Sequence, residues 1–340
     1  TGFAQKVDEK FINALAEEIN GSIQGVADLM EYGVLFGTAD DQSFTGDAYQ
    51  YSGILPIIYK NAVGNVIDGG GVKVTLDMMD AALAKARVYR QLRNDPYLWM
   101  LGTRMKQVVD GLQTKVQLPL QSVSLADGKI VMAGYAGAPL LESEYLVPAD
   151  TSTSPATTGV VAAGGSLADG TYTYKISSVT MYGEQVAGTA SANVVAATTN
   201  HTANLSWTAD ANAKLYMIWR NVAAGVFGLV DIINAKTYDA AGLVNGNRTT
   251  YSDDGTKTFI SGVKPLATGE QIITLLNINP ARGAAFAGMV DDMGNQIDRL
   301  ISFVELARTK DSYDYFLKGY MTLRNVYANV HSVIRHVKTA

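Results

Sequence analysis

The sequence contains no cysteine. Disulfides and thiolate metal sites are therefore excluded, and the absence fits a cytosolic setting. Only three histidines occur in 340 residues, His201, His331 and His336. No stretch reaches the roughly 18 consecutive apolar residues needed to cross a bilayer as a helix, and no signal-peptide pattern opens the chain at Thr1. Positive charge is in deficit too. A formal net charge of -5 and a pI near 5.3 argue against nucleic-acid wrapping by a basic surface. What is present is the composition of a folded protein. With 47% hydrophobic and 17% charged residues the chain is not globally disordered, and its length suits about two domains.

Hydrophobic periodicity divides the chain into three parts. Val7, Phe11, Leu15, Ile19, Ile23, Val26, Met30 and Val34 recur at steps of four and three, which predicts an amphipathic helix over residues 4–36. Gly21 and Gly25 weaken it by about 1 kcal/mol each, and Gly37 ends it. The apolar run Ile54 to Tyr59 predicts a strand, and Asp68 to Gly71 (DGGG) a break. Thr75 then caps a helix whose buried stripe is Leu76, Met79, Leu83 and Ala86, and Asn94-Asp95-Pro96 stops it. A strand YLWML follows, then a helix at Thr103 with Met105, Val108, Val109 and Leu112 apolar. Strands fill residues 116–147, with Asp127-Gly128 as a hairpin turn. This first part mixes α and β.

The tract from Ala149 to Gly165 is a weakly hydrophobic Ser/Thr/Ala/Gly linker. Beyond it Tyr172, Tyr174 and Ile176 alternate with Thr173, Lys175 and Ser177. Short strands carrying Leu205, Trp207, Tyr216 and Ile218 succeed one another to about Ser252, with turns between them and no helix. That spacing predicts a small antiparallel sandwich. After about Val263 mixed character returns. EQIITLLNI, RLISFVELA and the segment around Tyr313, Tyr315 and Leu317 predict strands, although Val326, Val330, Val333 and Val337 also suit a helix. An all-β module flanked by mixed sequence predicts an insertion. Residues 1–148 and 267–340 then form one discontinuous domain, and residues 149–266 the inserted sandwich with its linkers.

Chemistry-bearing patterns are scarce. His331 and His336 are five apart, a spacing that does not aim both rings at one metal, and His201 sits in a polar turn. HExxH, GxSxG and GxxxxGK[ST] motifs are absent, and GGGVKVT lacks the spacing of a phosphate loop. Glu17-Glu18 lies on a helix surface and Asp291-Asp292 near a strand or loop start. Asp40-Asp41 and Asp253-Asp254 lie in turns that could hold a calcium ion, but no regular ligand series accompanies either pair, so both read as solvated turns. Trp207, Tyr216 and Trp219 fit a sandwich core better than a sugar-stacking platform. No catalytic, cofactor-binding or metal residue is nominated, and an enzyme is not expected.

Several stretches, in order, resemble the major capsid proteins of tailed bacteriophages, the Hong Kong 97-type fold. LMEYGVLFGTADD followed by YSGILPIIY resembles the spine helix and its turn into the sheet. TLDMMDAALAKARVYRQLRNDPYLWML is similar to the segment before the axial domain, and MAGYAGAPLLESEYLVP to a recurring strand pair. TKDSYDYFLKGYMTLRNVYANVHSVIRHV is similar to the peripheral-domain strands. GTYTYKISSVTMYGEQ, ANLSWTADANAKLYMIWRN and TTYSDDG resemble fibronectin type III or immunoglobulin-like modules, in the sequence order such modules show.

The resemblance implies an α+β capsid fold, with spine helix, peripheral and axial domains, carrying an inserted all-β immunoglobulin-like sandwich. It also implies an N-terminal arm and hairpin upstream of Thr1, or another way of clasping neighbours if these are absent. The implied function is a structural subunit that assembles with itself, as hexamers and pentamers, into an icosahedral shell around a phage genome. Portal and scaffolding or decoration proteins are implied partners, with packaged DNA held without sequence-specific binding and no membrane. The implied location is the virion capsid, assembled in the bacterial host cytoplasm. Mild acidity suits such a container, because a strongly basic wall would bind the DNA and resist its exit. The sandwich is expected to hang from the axial-domain end by flexible tracts and face outward, for reinforcement or weak adhesion. On that expectation, excising Ser152 to Lys264 leaves assembly possible. Alternatives are a tail, fibre or surface binding protein working through the sandwich, and an encapsulin-like compartment shell.

Overall fold

The computed structural model describes residues 30–37, 52–88, 94–115, 121–125, 130–150, 154–221, 226–238, 244–288, 302–305, 315–318 and 321–339, with Leu92 and isolated positions between 21 and 28. The architecture is mixed α and β, with few helices and many strands. Most of the helix expected over 4–36 lies outside these residues. Its end is helical through residues 30–36 and closes where Gly37 N–H donates to Gly33 O at 2.9 Å.

The run expected to be a strand at Ile54 to Tyr59 is instead the helix Ile54–Asn61. Five of its residues are buried, with Ile54, Leu55, Ile58 and Tyr59 at helical spacing on one face, but a short unbroken apolar run reads equally well as a buried strand. Gly53 precedes it in extended conformation. Pro56 falls in the first turn, where its missing N–H is not needed. Gly53 N–H also donates to Gly37 O at 2.7 Å, and a Cβ on Gly53 would stand 2.3 Å from Gly37 N. This crossing of the 30–36 helix end therefore requires glycine.

A seven-stranded sheet organises the flanking sequence. Its spatial order is Val66–Lys73, Ser332–Lys338, Gln271–Asn277, Tyr97–Leu101, Ala138–Glu142, Ile130–Tyr135 and Gln121–Leu125. The two strands of the second flank, 332–338 and 271–277, are thus inserted between 66–73 and 97–101 of the first, and 66–73 lies parallel to 332–338 with Val66 opposite Val333. Strand 271–277 is buried throughout, as a strand covered on both faces must be. Its Ile273 and Leu275 meet helices Leu76–Ala86 and Thr103–Lys115 through Met79, Leu83, Met105 and Val109. Ile272 and Leu276 join a different cluster on the opposite face, with Ile54, Leu55 and Ile58. Thr75 caps the 76–86 helix, its side chain accepting from Met78 N–H. That helix ends at Ala86 rather than running on toward Asn94.

The DGGG stretch is not a flexible turn. It sits inside strand 66–73, and the register against 332–338 shifts between Asp68 and Val72, with φ of 66° and 73° at Gly70 and Gly71. The partner strand is irregular as well, since His336 is left-handed at φ 57°. That irregularity lets Ile334 and Val337 both face the helices while Arg335 faces the other way.

The β-rich segment has its own two sheets. One has the order Thr250–Asp253, Asn200–Trp207, Thr157–Ala162. The other runs Val194–Ala196, Gly170–Thr180, Leu215–Asn221, Phe227–Asn234. Between them Tyr172, Tyr174, Ile176, Leu205, Trp207, Tyr216, Ile218 and Val230 form a common interior. Among the described residues from 165 to 255 there is no helix. The intervening side chains, Val179, Leu215, Met217, Trp219, Leu229 and Ile232, face outward from this interior. They pack into the same cluster as Leu35, Phe36, Ile54, Ile58 and Ile272. The expectation of a module hung by flexible tracts is therefore overturned. One sheet of the β-rich segment is covered on both faces, and the flanks supply the second cover.

Candidate functional site

Among the described residues, buried charge is concentrated at the junction between the β-rich segment and the flanking sheet, as well as at the Arg220–Asp253 pair. Arg335 on strand 332–338 is fully buried. Its Nη2 donates to both oxygens of Glu184, at 2.9 and 2.8 Å, and to Lys264 O at 2.9 Å; its Nη1 donates to Tyr59 Oη at 2.6 Å. The guanidinium also lies 5.0 Å from the Tyr59 ring centroid and 5.9 Å from that of Trp219. Each contact comes from a different segment: the 54–61 helix, the short strand Gly183–Glu184, strand 215–221 and the return segment near Lys264.

Local structure fixes these partners. Gly183 has φ 96°, and a Cβ there would stand 2.2 Å from Tyr145 O, so only glycine lets the 183–184 strand approach. Trp219 donates from Nε1 to Ser177 Oγ at 2.6 Å, which holds its indole in the junction. Burial pushes the Tyr59 hydroxyl up to about 12, with Arg335 opposing the shift, so it remains a neutral phenol. Burial likewise pushes the Glu184 carboxyl up and Arg335 pulls it back. The contact of one Nη2 with both oxygens keeps the pair charged, because arginine does not give up its proton.

Satellite contacts surround the junction. Lys60 Nζ lies 3.7 Å from Asp231 Oδ1, Lys264 Nζ 2.8 Å from Asp68 Oδ2, and His336 Nδ1 2.6 Å from Glu270 Oε2. The chain enters and leaves the β-rich segment side by side: Ala149 N–H donates to Glu270 O at 2.8 Å, and Gly269 N–H to Ala149 O at 2.9 Å. Breaking one side of a buried ion pair costs about 3–5 kcal/mol, since the other charge stays buried. Excising Ser152 to Lys264 would remove Glu184 and Trp219 and uncover the 54–61 helix, which contradicts the expectation that the flanks tolerate that deletion.

The residues weighed from sequence are placed apart. His331 is buried, with Nδ1 accepting from Asn277 N–H at 3.1 Å and Nε2 donating to Asn325 Oδ1 at 3.0 Å. Burial lowers it to about 3, so it is a neutral structural imidazole. His336 faces Glu270 instead, and His201 Nε2 contacts Thr198 O at 2.9 Å. Asp253 and Asp254 diverge. Asp253 is buried, taking Arg220 Nη1 at 2.7 Å and Tyr174 Oη at 3.0 Å on Oδ2, whereas Asp254 holds its own turn through Thr256. Asp253 is thus not the solvated turn residue expected from the sequence, while Asp254 is partly buried in its turn.

Trp207, Tyr216 and Trp219 form no platform either. All three are buried, Trp207 and Tyr216 meeting edge to face at 5.3 Å while Trp219 lies on the other side of the sheet. Glu17-Glu18, Asp40-Asp41 and Asp291-Asp292 lie outside the described residues. Among the described residues no group of three or more His, Asp or Glu is arranged to hold a metal.

A family model described as SU10 major capsid protein matches residues 1–129. The match covers the 54–61, 76–86 and 103–115 helices with strands 66–73 and 97–101, and stops short of the β-rich segment. No curated protein matches the chain. Among solved structures it is similar to the SrpI encapsulin of Synechococcus elongatus PCC 7942, in a cryo-EM structure of the holo complex. The identity is 12% and the TM-score 0.44, over 96% of this chain and 66% of that one. The chain thus spans just under two thirds of that encapsulin chain's length.

Proposed function

We propose that this chain is a major capsid protein that assembles with itself into a closed icosahedral shell around a phage genome. The observation that carries this reading is the family match over residues 1–129, which falls on the helices and strands of the flanking sheet. Residues 1–148 and 267–340 are the shell-forming domain, of the Hong Kong 97 type, and residues 149–266 are its insertion. The function is structural rather than enzymatic, a reading supported by the capsid-protein description of the matching family model. Neighbouring subunits meet through interfaces of about 2,000 Å² or more. Portal and scaffolding or decoration proteins complete the particle, and DNA is enclosed without sequence readout. Assembly takes place in the host cytoplasm and the product is the virion head.

The inserted segment is read as an immunoglobulin- or fibronectin-like sandwich on the outer surface. Strands 157–162, 200–207 and 250–253 occupy the A, B and E places of one sheet. Strands 194–196, 170–180, 215–221 and 227–234 occupy the G, F, C and C′ places of the other. The chain order departs from that expected from the sequence, because the F and G places are filled before B. Support for the sandwich reading comes from the spatial neighbours alone, since the chain connects them in a permuted order.

Negative-stain microscopy of the expressed chain tests the reading. Closed shells, rings or curved sheets are expected. Discrete monomers or trimers at all concentrations would contradict it.

A further inference from the structure

The DGGG stretch lines a cavity of about 380 Å³, where strand 66–73 meets the return segment 264–270. Its polar lining is Asp68, Lys264, Glu270 and His336, and its apolar walls are Val226, Phe227, Pro265 and Ala267. Most of the charge is already paired. Lys264 Nζ donates to Asp68 Oδ2 at 2.8 Å, and Gly70 N–H to Asp68 Oδ1 at 2.9 Å. Glu270 Oε2 accepts from Ala267 N–H at 2.8 Å and from His336 Nδ1 at 2.6 Å. Glu270 Oε1 is left over. The residue is only 6% exposed, yet this oxygen makes no hydrogen bond among the described residues. It faces the cavity, because a Cβ on Gly71, which also lines it, would stand 2.9 Å from Oε1. Gly70 and Gly71, at φ 66° and 73°, keep that space open.

A carboxylate oxygen in so buried a residue is costly without a donor, and what satisfies it must bring an N–H or O–H into the cavity. A cationic donor does so best, since charge-assisted hydrogen bonds are about twice as strong as neutral ones. Asp68 and Glu270 together repel an anion. A metal ion lacks ligands, because no group of three His, Asp or Glu among the described residues could hold one. The walls add a second requirement. Val226, Phe227 and Pro265 offer surface to a short hydrocarbon stem, in a cavity at the small end of the ~300–1,000 Å³ usual for small ligands. We propose that this cavity binds a primary ammonium group on an aliphatic stem, the head donating to Glu270 Oε1 and the stem lying against Val226 and Phe227. The lining comes from strand 66–73, the start of strand 227–234, the return segment and strand 332–338. An occupant therefore ties the β-rich segment to the flanks, one residue along from Arg335, and the assignment stands apart from the shell reading.

Isothermal titration of the whole chain with n-butylammonium chloride tests the assignment. Saturable binding is expected, with a thermal midpoint that rises as the amine concentration rises. At matched ionic strength, n-butanol and tetramethylammonium, which lack the charge or the N–H donor, should give neither. Glu270→Gln keeps an acceptor for Ala267 N–H but loses the charge, and should weaken binding about tenfold or more. Val226→Arg, at a wall position 50% exposed, should leave the fold intact and weaken binding severalfold by placing a competing cation at the mouth. Nα-acetyl-lysine N-methylamide carries the same head on a peptide stem. Tighter binding of it than of butylammonium would assign the cavity to a lysine of another chain, and weaker binding to a free amine. No saturable binding, equal binding of n-butanol or tetramethylammonium, or full affinity in both variants would each overturn the ammonium site.

Discussion

The flanking sheet and the β-rich segment are held together by opposite strategies. In the flanking sheet the decisive pairs are remote in sequence: 66–73 beside 332–338, and 97–101 beside 271–277. In the β-rich segment the pairs stay within the segment, from 215–221 beside 227–234 to 157–162 beside 200–207, and the interior is furnished by its own Trp207, Tyr216 and Ile218. A module with its own interior could have been independent. It is not, because the second face of its larger sheet is apolar and is covered by Ile54, Ile58 and Ile272. Pairing within a segment makes it foldable; what its outer face buries decides whether it is separable.

The sharpest way to break this comparison is to remove the middle. A chain lacking residues 152–264 should lose soluble folded protein, as read by expression and circular dichroism. A soluble, cooperatively melting remainder would show that the flanks need no cover. Next in size are the junction residues. Glu184→Gln or Arg335→Leu should each destabilise by about 3–5 kcal/mol in denaturant unfolding. The double replacement Glu184→Leu with Arg335→Leu should recover much of that loss, because no lone charge is then buried.

A histidine of the flank makes one contribution to acid sensitivity that a single substitution isolates. His331 is lowered to about 3 by burial, whereas the unfolded chain takes up its proton near 6.5. Between those values the unfolded state binds more protons, so stability falls as pH drops from about 6.5 toward 3. The slope is at most about 1.4 kcal/mol per pH unit. Urea midpoints at pH 7 and pH 4 measure it, and His331→Gln should flatten it. The smallest effect is expected at the half-exposed pair Lys264–Asp68. Lys264→Ala should cost no more than about 1 kcal/mol, since the junction contact made by residue 264 is through its backbone oxygen.

Much of the fold was legible in the residues, and the misses have physical causes. Thr75 as a cap, and the alternation of Tyr172, Tyr174 and Ile176 into one interior, follow from local rules that tertiary contacts did not override. The 54–61 helix was hidden because a short continuous apolar run fits a buried strand as well as a helix face. The DGGG run read as a turn because glycines at positive φ serve bulges and turns alike. Trp219 could have been separated from Trp207 and Tyr216 by parity alone, being an odd step from Tyr216 along one strand. The junction left a fainter mark: an arginine within the apolar HSVIRHV and a glutamate after the tight turn at Gly183. Charges embedded in buried strands signal a partner, but only the fold names which partner.

Three tryptophans report on the three bodies concerned: Trp99 in the flanking sheet, Trp207 inside the β-rich segment and Trp219 at the junction. Denaturant unfolding followed by fluorescence in single-tryptophan variants, the other two changed to Phe, tests most directly whether the junction joins flanks and middle into one cooperative unit. Coincident shapes and shared sensitivity to Glu184→Gln across all three reporters are predicted. A Trp207 transition separate from that of Trp99 and unmoved by Glu184→Gln would contradict the account.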